Sequence, residues 1–221
     1  GIPAGGLPPA TLSYLPERNP HFRGRKADLA HLHEVLDRSA TIGITQQVAL
    51  VAFGGVGKSS LAIEFGWDCF ASAPTKFPGG VFWCDCRGRE VASLADGLAA
   101  LAGPLGIDAG ESKDPFPAAC KVRDRLASGP PSLLILDNVI DSEQWKDKEW
   151  AGLLPAGSCR RLLTTRAENL GDPRIPMVRL DCLSMPDGRA LLHAYRDDVP
   201  LEQGDDAVNK IIDWLGALAV G

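Results

Sequence analysis

A glycine-rich turn between a buried apolar run and a helical segment constrains this chain more than any other feature of its sequence. The run Gln47–Phe53 is apolar after its first residue, and Gly54-Gly55-Val56-Gly57-Lys58-Ser59-Ser60 follows it directly. Glycines let successive backbone N–H groups turn toward an anion, and the helix that we expect to begin at Lys58 adds its positive N-terminal end. This order of elements predicts a phosphate-binding loop.

The residue types in the loop predict which phosphates are bound. Lys58 is expected to reach the β- and γ-phosphates of a nucleotide, and the Ser59 hydroxyl is expected to bind Mg²⁺. The other residues of the loop are expected to surround the phosphates: Gly54, Gly55, Val56, Gly57 and Ser60. Ala52 stands where the full pattern has its first glycine, which leaves the phosphate-binding residues unchanged. The loop therefore predicts a site for ATP or ADP with Mg²⁺.

Strand and helix patterns alternate along the rest of the chain, which favours a parallel sheet covered by helices on both faces. The predicted strands are Gln47–Phe53, Gly80–Cys84, Leu133–Leu136, Arg161–Thr165 and Pro176–Leu180. The predicted helices are Lys26–Leu36, the helix from Lys58, Val91–Leu101, Phe116–Leu126, Pro186–Tyr195 and Asp205–Leu218. The prediction is an α/β fold of three layers with a five-stranded parallel sheet.

The apolar strand Leu133–Leu136 ends in Asp137 and Asn138. A carboxylate at the end of such a strand is placed beside the phosphate loop, where Asp137 can hold Mg²⁺. Asn138 occupies the position where a second acid would act as general base. An amide can position water but cannot accept its proton, so slow hydrolysis is predicted.

The strand Arg161–Thr165 ends in hydroxyls and is followed by Arg166. A guanidinium at this point can contact the γ-phosphate, since its planar fork matches phosphate oxygens. The alternative is a solvated arginine that follows a strand. With Lys58, Asp137 and Asn138, Arg166 completes the predicted catalytic group.

Composition narrows the classes of protein. The 221 residues carry 23 Lys and Arg against 28 Asp and Glu, a net charge of −5, so a nucleic-acid partner is not expected. No apolar run reaches the roughly 18 residues of a membrane span, and a cytoplasmic protein is predicted. The six scattered cysteines favour reduced thiols. His31 and His33 lie two residues apart in a predicted helix, which favours a helix surface over a metal site.

These motifs, in this order and spacing, resemble the NB-ARC branch of the STAND class of signalling P-loop ATPases. Gly54–Ser60 is similar to its Walker A motif, Leu133–Asn138 to its Walker B motif and Leu163–Arg166 to its sensor-1 strand. Gly80–Trp83 is similar to a strand of bacterial members that carry repeat domains, and Leu215–Ala219 is similar to the Gly-Leu-Pro-Leu motif.

Asn19–Arg25 resembles the segment that wraps the adenine in this family. The resemblance implies that Phe22 packs on the base while Arg23 and Arg25 line the base or the phosphates. A solvated basic turn is the alternative for these two arginines.

The resemblance implies an AAA+-like strand order, in which the sensor strand lies between the two Walker strands. It divides the chain into a linker (1–20), a P-loop domain (21–180) and the start of a helical subdomain (181–221). We expect a piece of a longer protein in which a winged-helix domain and a C-terminal sensor follow.

The implied function is a switch in which ADP holds a closed monomer, ATP permits a homo-oligomer and slow Mg²⁺-dependent hydrolysis resets the state. The alternatives from other classes are a P-loop kinase and an AAA+-type DNA-associated ATPase. The first would need an acceptor pocket with its own base, and the acidic balance counts against the second.

Overall fold

The computed structural model describes residues 13–42, 47–51, 56–88, 90–195, 206 and 208–212. In these ranges six strands form one sheet: β1 (Ser13–Tyr14), β2 (Gln47–Val51), β3 (Gly80–Asp85), β4 (Ser132–Val139), β5 (Cys159–Thr165) and β6 (Met177–Arg179). The same ranges hold the helices α1 (Lys26–Ile42), α2 (Lys58–Ala71), α3 (Ala73–Lys76), α4 (Val91–Ala99), α5 (Phe116–Ser128), α6 (Ser142–Lys146), α7 (Lys148–Gly152) and α8 (Met185–Tyr195). The fold is the predicted α/β class.

The strand order is β1-β3-β4-β5-β2-β6, and every pair is parallel. The sensor strand β5 lies between β2 and β4, which confirms the predicted order. The predicted number of five strands is wrong by one, because Ser13 and Tyr14 pair with Val81 and Phe82 at the open edge of β3. Two residues without apolar alternation carry no strand signal, and only the unpaired backbone of β3 makes them a strand.

The sheet is buried on both faces because successive strand residues point in opposite directions. Leu133 and Ile135 of β4 pack with the apolar side chains of α1 and α2, whereas Leu134 and Leu136 pack against α4, α5 and α7. All four leucine and isoleucine side chains are fully buried. Helices on both faces of the sheet give the three predicted layers.

Three short helices, α3, α6 and α7, have no predicted counterpart. Asp141 caps α6 by accepting from two backbone N–H groups, and Asp147 caps α7 in the same way from Trp150. The rings of Trp145 and Trp150 meet edge to face at 5.7 Å, and Trp150 is 1% exposed. Helices of four or five residues are too short for a helical period to show in the sequence.

The helices α2, α4, α5 and α8 lie within two residues of their predicted bounds, whereas α1 continues six residues beyond its predicted end at Leu36. Residues 206 and 208–212 are helical, and the remainder of the last predicted helix lies outside the described residues. All six cysteines are free thiols. Burial raises the pKa of Cys69 to about 12 and that of Cys159 to about 11, so these two thiols stay protonated and unreactive near neutral pH.

Candidate functional site

The first turn of α2 presents Lys58, Ser59 and Ser60 beside the carboxyl end of the sheet. Gly57 precedes the helix with φ +94°, a conformation that a residue with a side chain adopts only at a steric cost. The helix therefore begins at Lys58, as the sequence predicts, and its first N–H groups face out of its N-terminal end. Val56 is buried, whereas Gly54 and Gly55 lie outside the described residues.

Ser59 and Asp137 meet at this edge of the sheet. The Ser59 hydroxyl donates to the Asp137 carboxylate at 2.8 Å from Oδ1 and 3.1 Å from Oδ2. The contact joins residues 78 positions apart, and Asp137 is 4% exposed. A hydroxyl and a carboxylate oxygen are the hard donors that Mg²⁺ prefers. The two residues fit the ion that the sequence predicts for them.

Two further side chains fix the orientation of Asp137. The Thr164 hydroxyl of β5 donates to Oδ1, and the Asn138 amide donates to Oδ2 at 2.7 Å. Thr164 also accepts from the Asn138 backbone N–H at 3.0 Å and is 1% exposed. The sequence shows that β5 ends in hydroxyls, but only the pairing of β4 with β5 selects Thr164 as the partner of Asp137.

An irregularity in β4 brings Asp137 and Asn138 to the same edge. Leu136 pairs with Leu163 but Val139 pairs with Thr165, so β4 holds one residue more than β5 at this point. Asn138 sits in this bulge with φ +66°, a conformation that asparagine tolerates better than most residues. The bulge turns the Asn138 side chain toward both carboxylates of the edge, 2.7 Å from Asp137 and 3.3 Å from Oδ1 of Asp85.

The charged side chains of Lys58, Arg166 and Asp137 interact electrostatically near the phosphate loop. Burial lowers the pKa of Lys58 and the positive charge of Arg166 lowers it further, whereas Asp137 opposes both. These three groups therefore lie within electrostatic reach of one another, and the Arg166 side chain is exposed at the end of β5. Among these three groups the two cations outnumber the one carboxylate, and a polyphosphate would compensate their excess positive charge.

The N-terminal segment reaches the loop through Arg25. This side chain is 8% exposed and donates to the carbonyl of Val56 at 3.1 Å and to that of Asp181 at 2.7 Å. Arg23 is exposed and donates to the carbonyls of Pro20 and Phe22, whose ring packs beside the core of α1 and α2. Arg25 thus joins the phosphate loop to the chain after β6, a bridge that the sequence does not predict.

A cleft of about 670 Å³ opens between this segment and α8. It is lined by Arg23, Met185, Pro186, Arg189, Ala190, His193 and Ala194. At the far end of α8 the ring of Tyr195 lies 4.5 Å from that of His21, and its hydroxyl accepts from Asn19 at 3.3 Å. Arg23 of the predicted adenine segment and residues of α8 therefore line one open cavity.

The remaining predicted polar groups do not form a site. Within the described ranges no three His, Cys, Asp or Glu side chains come together as a metal site. His31 is exposed as predicted, whereas the ring of His33 packs 4.5 Å from that of Phe65. In those ranges no helix is long and apolar enough to cross a membrane.

Comparison with known proteins names the family. The family model of the NB-ARC domain matches residues 25–196, which hold both Walker motifs and the sensor strand. The chain belongs to the NB-ARC family. It is accordingly a P-loop nucleotide-binding module. A search of curated proteins returned no match.

Solved structures share the NB-ARC fold at low identity. The ORC2 protein of Aeropyrum pernix has a TM-score of 0.56 at 14% identity, with 83% of this chain and 54% of that chain covered. The ORC1 protein of Aeropyrum pernix, solved in complex with DNA, has a TM-score of 0.54 at 18% identity, with 90% and 55% covered. A Walker-type ATPase of Pyrococcus abyssi has a TM-score of 0.54 at 14% identity, with 94% and 69% covered. The chain thus spans little more than half of the two ORC proteins, and the likeness concerns the fold alone.

Proposed function

We propose that this NB-ARC domain is an ATP/ADP-controlled switch with slow Mg²⁺-dependent hydrolysis. The observation that carries the proposal is the contact of Ser59 with Asp137 at the N-terminal end of α2, next to Lys58. A helix N-terminus, a lysine and a pair of hard oxygen donors are the elements that bind a nucleoside triphosphate with its Mg²⁺ ion. Ser59 and Asp137 would hold Mg²⁺, which supplies charge compensation at the β- and γ-phosphates.

The open cleft beside α8 supports the proposal that the base of the nucleotide binds there. It lies next to Arg23, within the segment that resembles the adenine-binding stretch of the family. Phe22 and Arg23 are then the candidates for contacts with the base, and Arg25 holds the phosphate loop through Val56. A nucleotide between the loop and the cleft would contact both the sheet and α8.

A switch requires that the site distinguish ATP from ADP. A ligand shifts a conformational equilibrium only through its different affinities for two states. Arg166 and Lys58 are the groups that would separate ATP from ADP, since both are placed to contact the γ-phosphate. In the whole protein we propose that ADP holds a closed monomer in the cytoplasm. ATP would permit assembly into a homo-oligomer, with a winged-helix domain and a sensor domain as partners in the same chain.

The test of nucleotide binding is calorimetric titration with ADP and Mg²⁺. Lys58→Ala should abolish binding while leaving the fold intact, because it removes the ammonium group aimed at the phosphates. Lys148→Ala is the matched control, since Lys148 is also the first residue of a helix but is exposed on α7. Equal affinity in Lys58→Ala and the control would contradict the assignment of the loop.

The test of the switch compares nucleotides and rates. Turnover should lie far below the median enzyme rate of about 10 per second, and sedimentation should differ between ADP and a non-hydrolysable ATP analogue. Phosphate transfer that requires a second substrate would favour a kinase, and stimulation of hydrolysis by DNA would favour the DNA-associated ATPase. Rapid hydrolysis without a partner would also count against the switch.

A further inference from the structure

Two carboxylates, Asp85 and Asp137, lie near the carboxyl ends of neighbouring strands beside the phosphate loop, and of these two Asp137 is the proposed metal ligand. Asp85 is the last residue of β3, and its Cα pairs in register with that of Asp137 in β4. The carboxyl ends of parallel strands meet at one edge of the sheet, where ligands of such folds bind. Asp85 therefore faces the same edge as Ser59, Asp137 and Asn138.

The Asn138 amide links the two carboxylates. Its Nδ2 lies 2.7 Å from Oδ2 of Asp137 and 3.3 Å from Oδ1 of Asp85. Asn138 follows directly after Asp137, where an acid would activate the attacking water. The structure thus brings a carboxylate from the neighbouring strand within hydrogen-bond distance of the amide that replaces that acid.

Asp85 and Asp137 both accept several hydrogen bonds and differ in how far solvent can reach them. Asp137 is 4% exposed, and its oxygens already accept from Ser59, Thr164 and Asn138. The Asp85 side chain is 36% exposed, so a water molecule can reach it. Burial alone would raise the pKa of Asp85, but hydrogen bonds from Arg87 and Asn138 outweigh burial and lower it. Asp85 is consequently an ionised acceptor at neutral pH.

The ion pair with Arg87 does not by itself explain this placement. Arg87 donates to Oδ2 of Asp85 at 2.7 Å, but its side chain is 79% exposed. Exposed pairs of this kind contribute at most about 1 kcal/mol to stability. The other oxygen of Asp85, Oδ1, accepts from the backbone N–H of Arg87 and from the Asn138 amide, which also donates to Asp137.

We propose that Asp85 supplies the carboxylate that Asn138 lacks, and that it orients the water that attacks the γ-phosphate. This inference rests on the proposed function of the site. The water oxygen bonds to the γ-phosphorus, and the bond from that phosphorus to the bridging oxygen breaks. ADP leaves with the electron pair of the broken bond. One proton of the water stays on the phosphate product, and the other passes to the Asp85 carboxylate and then to solvent.

The experiment measures single-turnover hydrolysis of MgATP with the protein in excess, together with calorimetric affinity for a non-hydrolysable ATP analogue. Asp85→Asn keeps the size and shape of the side chain but removes the charge. Its amide nitrogen cannot accept one set of the hydrogen bonds that the carboxylate receives from Arg87 and Asn138, and the Arg87→Gln variant controls for the bonds from Arg87. We expect its hydrolysis rate to fall by about 10- to 100-fold, at the lower end of what acid–base groups supply, with affinity changed less than threefold. Asn138→Asp in the same background returns a carboxylate to this edge and should recover most of the rate.

Asp172→Asn is the matched control. Asp172 also accepts from the backbone N–H and the guanidinium of an arginine two residues later, in the loop between β5 and β6. Its hydrolysis rate should equal that of the wild type. Arg87→Gln removes the ion pair but keeps the Asp85 carboxylate, and it should retain the rate within about threefold.

Several results would overturn the inference while leaving the nucleotide switch in place. They are an unchanged rate in Asp85→Asn, a loss in Arg87→Gln as large as that in Asp85→Asn, and a double variant no faster than Asp85→Asn. Wild-type protein that binds MgATP but releases phosphate no faster than free MgATP overturns it as well. Absence of nucleotide binding in the wild type overturns the proposed function itself, so the two failures are distinguishable.

Discussion

Thr164 is the side chain whose replacement tests the geometry of the site most directly. Its hydroxyl donates to the Asp137 carboxylate and accepts from the Asn138 backbone N–H, and it is 1% exposed. Thr164→Val keeps the volume and removes both interactions. A hydrogen bond to a charged group contributes about 1.5–3 kcal/mol, and a buried N–H without an acceptor costs about 1 kcal/mol or more. We expect the free energy of unfolding to fall by about 3 kcal/mol.

The assay is urea denaturation of nucleotide-free protein, with Thr165→Val as the matched control. Thr165 is also 1% exposed, and its hydroxyl accepts from the backbone N–H of Ala167 at 3.0 Å. Losing one neutral bond should cost about 1 kcal/mol. With a slope of about 2–3 kcal/mol/M, the midpoint of Thr164→Val should lie on the order of 1 M below that of the wild type.

A double-mutant cycle isolates the interaction itself. Combining Thr164→Val with Asp137→Asn should give a coupling energy of about 1–3 kcal/mol, since the two side chains contact each other directly. If Thr164→Val destabilises no more than Thr165→Val, the hydroxyl does not hold the carboxylate in solution. Asp137 would then lack the fixed orientation that binding of Mg²⁺ by Ser59 and Asp137 requires.

Three further predictions concern the surroundings of the loop. Arg18→Ala should lower the free energy of unfolding by about 1–3 kcal/mol in urea denaturation, because Glu64, 6% exposed, loses the guanidinium that donates to it at 3.0 Å. Gly57→Ala should cost about 1–2 kcal/mol in the same assay through backbone strain, because φ is +94° and, among the described residues other than its two chain neighbours, no atom lies within 4 Å of an added Cβ. His33→Leu should make the free energy of unfolding less dependent on pH between 7 and 5.

The sign of the His33 effect follows from its environment. Burial lowers the pKa of His33 and Lys76 lowers it further, against opposing contributions from Asp68 and Asp37. Below the ordinary value of 6.5, the unfolded chain binds a proton that the folded protein does not, so the wild type loses stability as the pH falls. Equal pH dependence in wild type and His33→Leu would contradict this explanation.

The two other predictions have their own controls. Adding Glu64→Gln to Arg18→Ala should recover part of the lost stability, because the buried charge is removed with its partner. Gly57→Asn should cost less than Gly57→Ala, since asparagine tolerates the left-handed conformation better. Failure of either recovery would show that the loss has another origin.

The fold class and the first parts of the site follow from the sequence because their signals are local. Apolar runs of strand length alternate with helical periods, and a glycine-rich turn stands between one such pair. That pattern predicts a parallel sheet, and the carboxyl ends of parallel strands share an edge. Lys58, Ser59, Asp137 and Arg166 could therefore be placed together without any knowledge of the packing.

Register decided the rest of the site. Thr164 rather than Thr165 binds Asp137 because β4 carries one residue more than β5 at its end. Asp85 resembles any acid that follows a strand until the pairing of β3 with β4 sets it opposite Asp137. A shift of one residue would turn each of these side chains to the other face of the sheet. Composition and periodicity do not determine the register of the strands, which depends on how the sheet and the helices on its two faces pack together.

Contacts between residues far apart in the sequence could not be predicted from local sequence patterns either. Arg25 donates to a carbonyl 156 positions away, and β1 exists only because the edge of β3 is open to it. The sequence by itself determined the chemistry of the loop, the alternation of elements and the order of the motifs, since each rests on neighbours within one turn or one strand. The tertiary structure alone decided which polar groups meet, because hydrogen bonds between separate elements form only after burial of the apolar faces has fixed their positions.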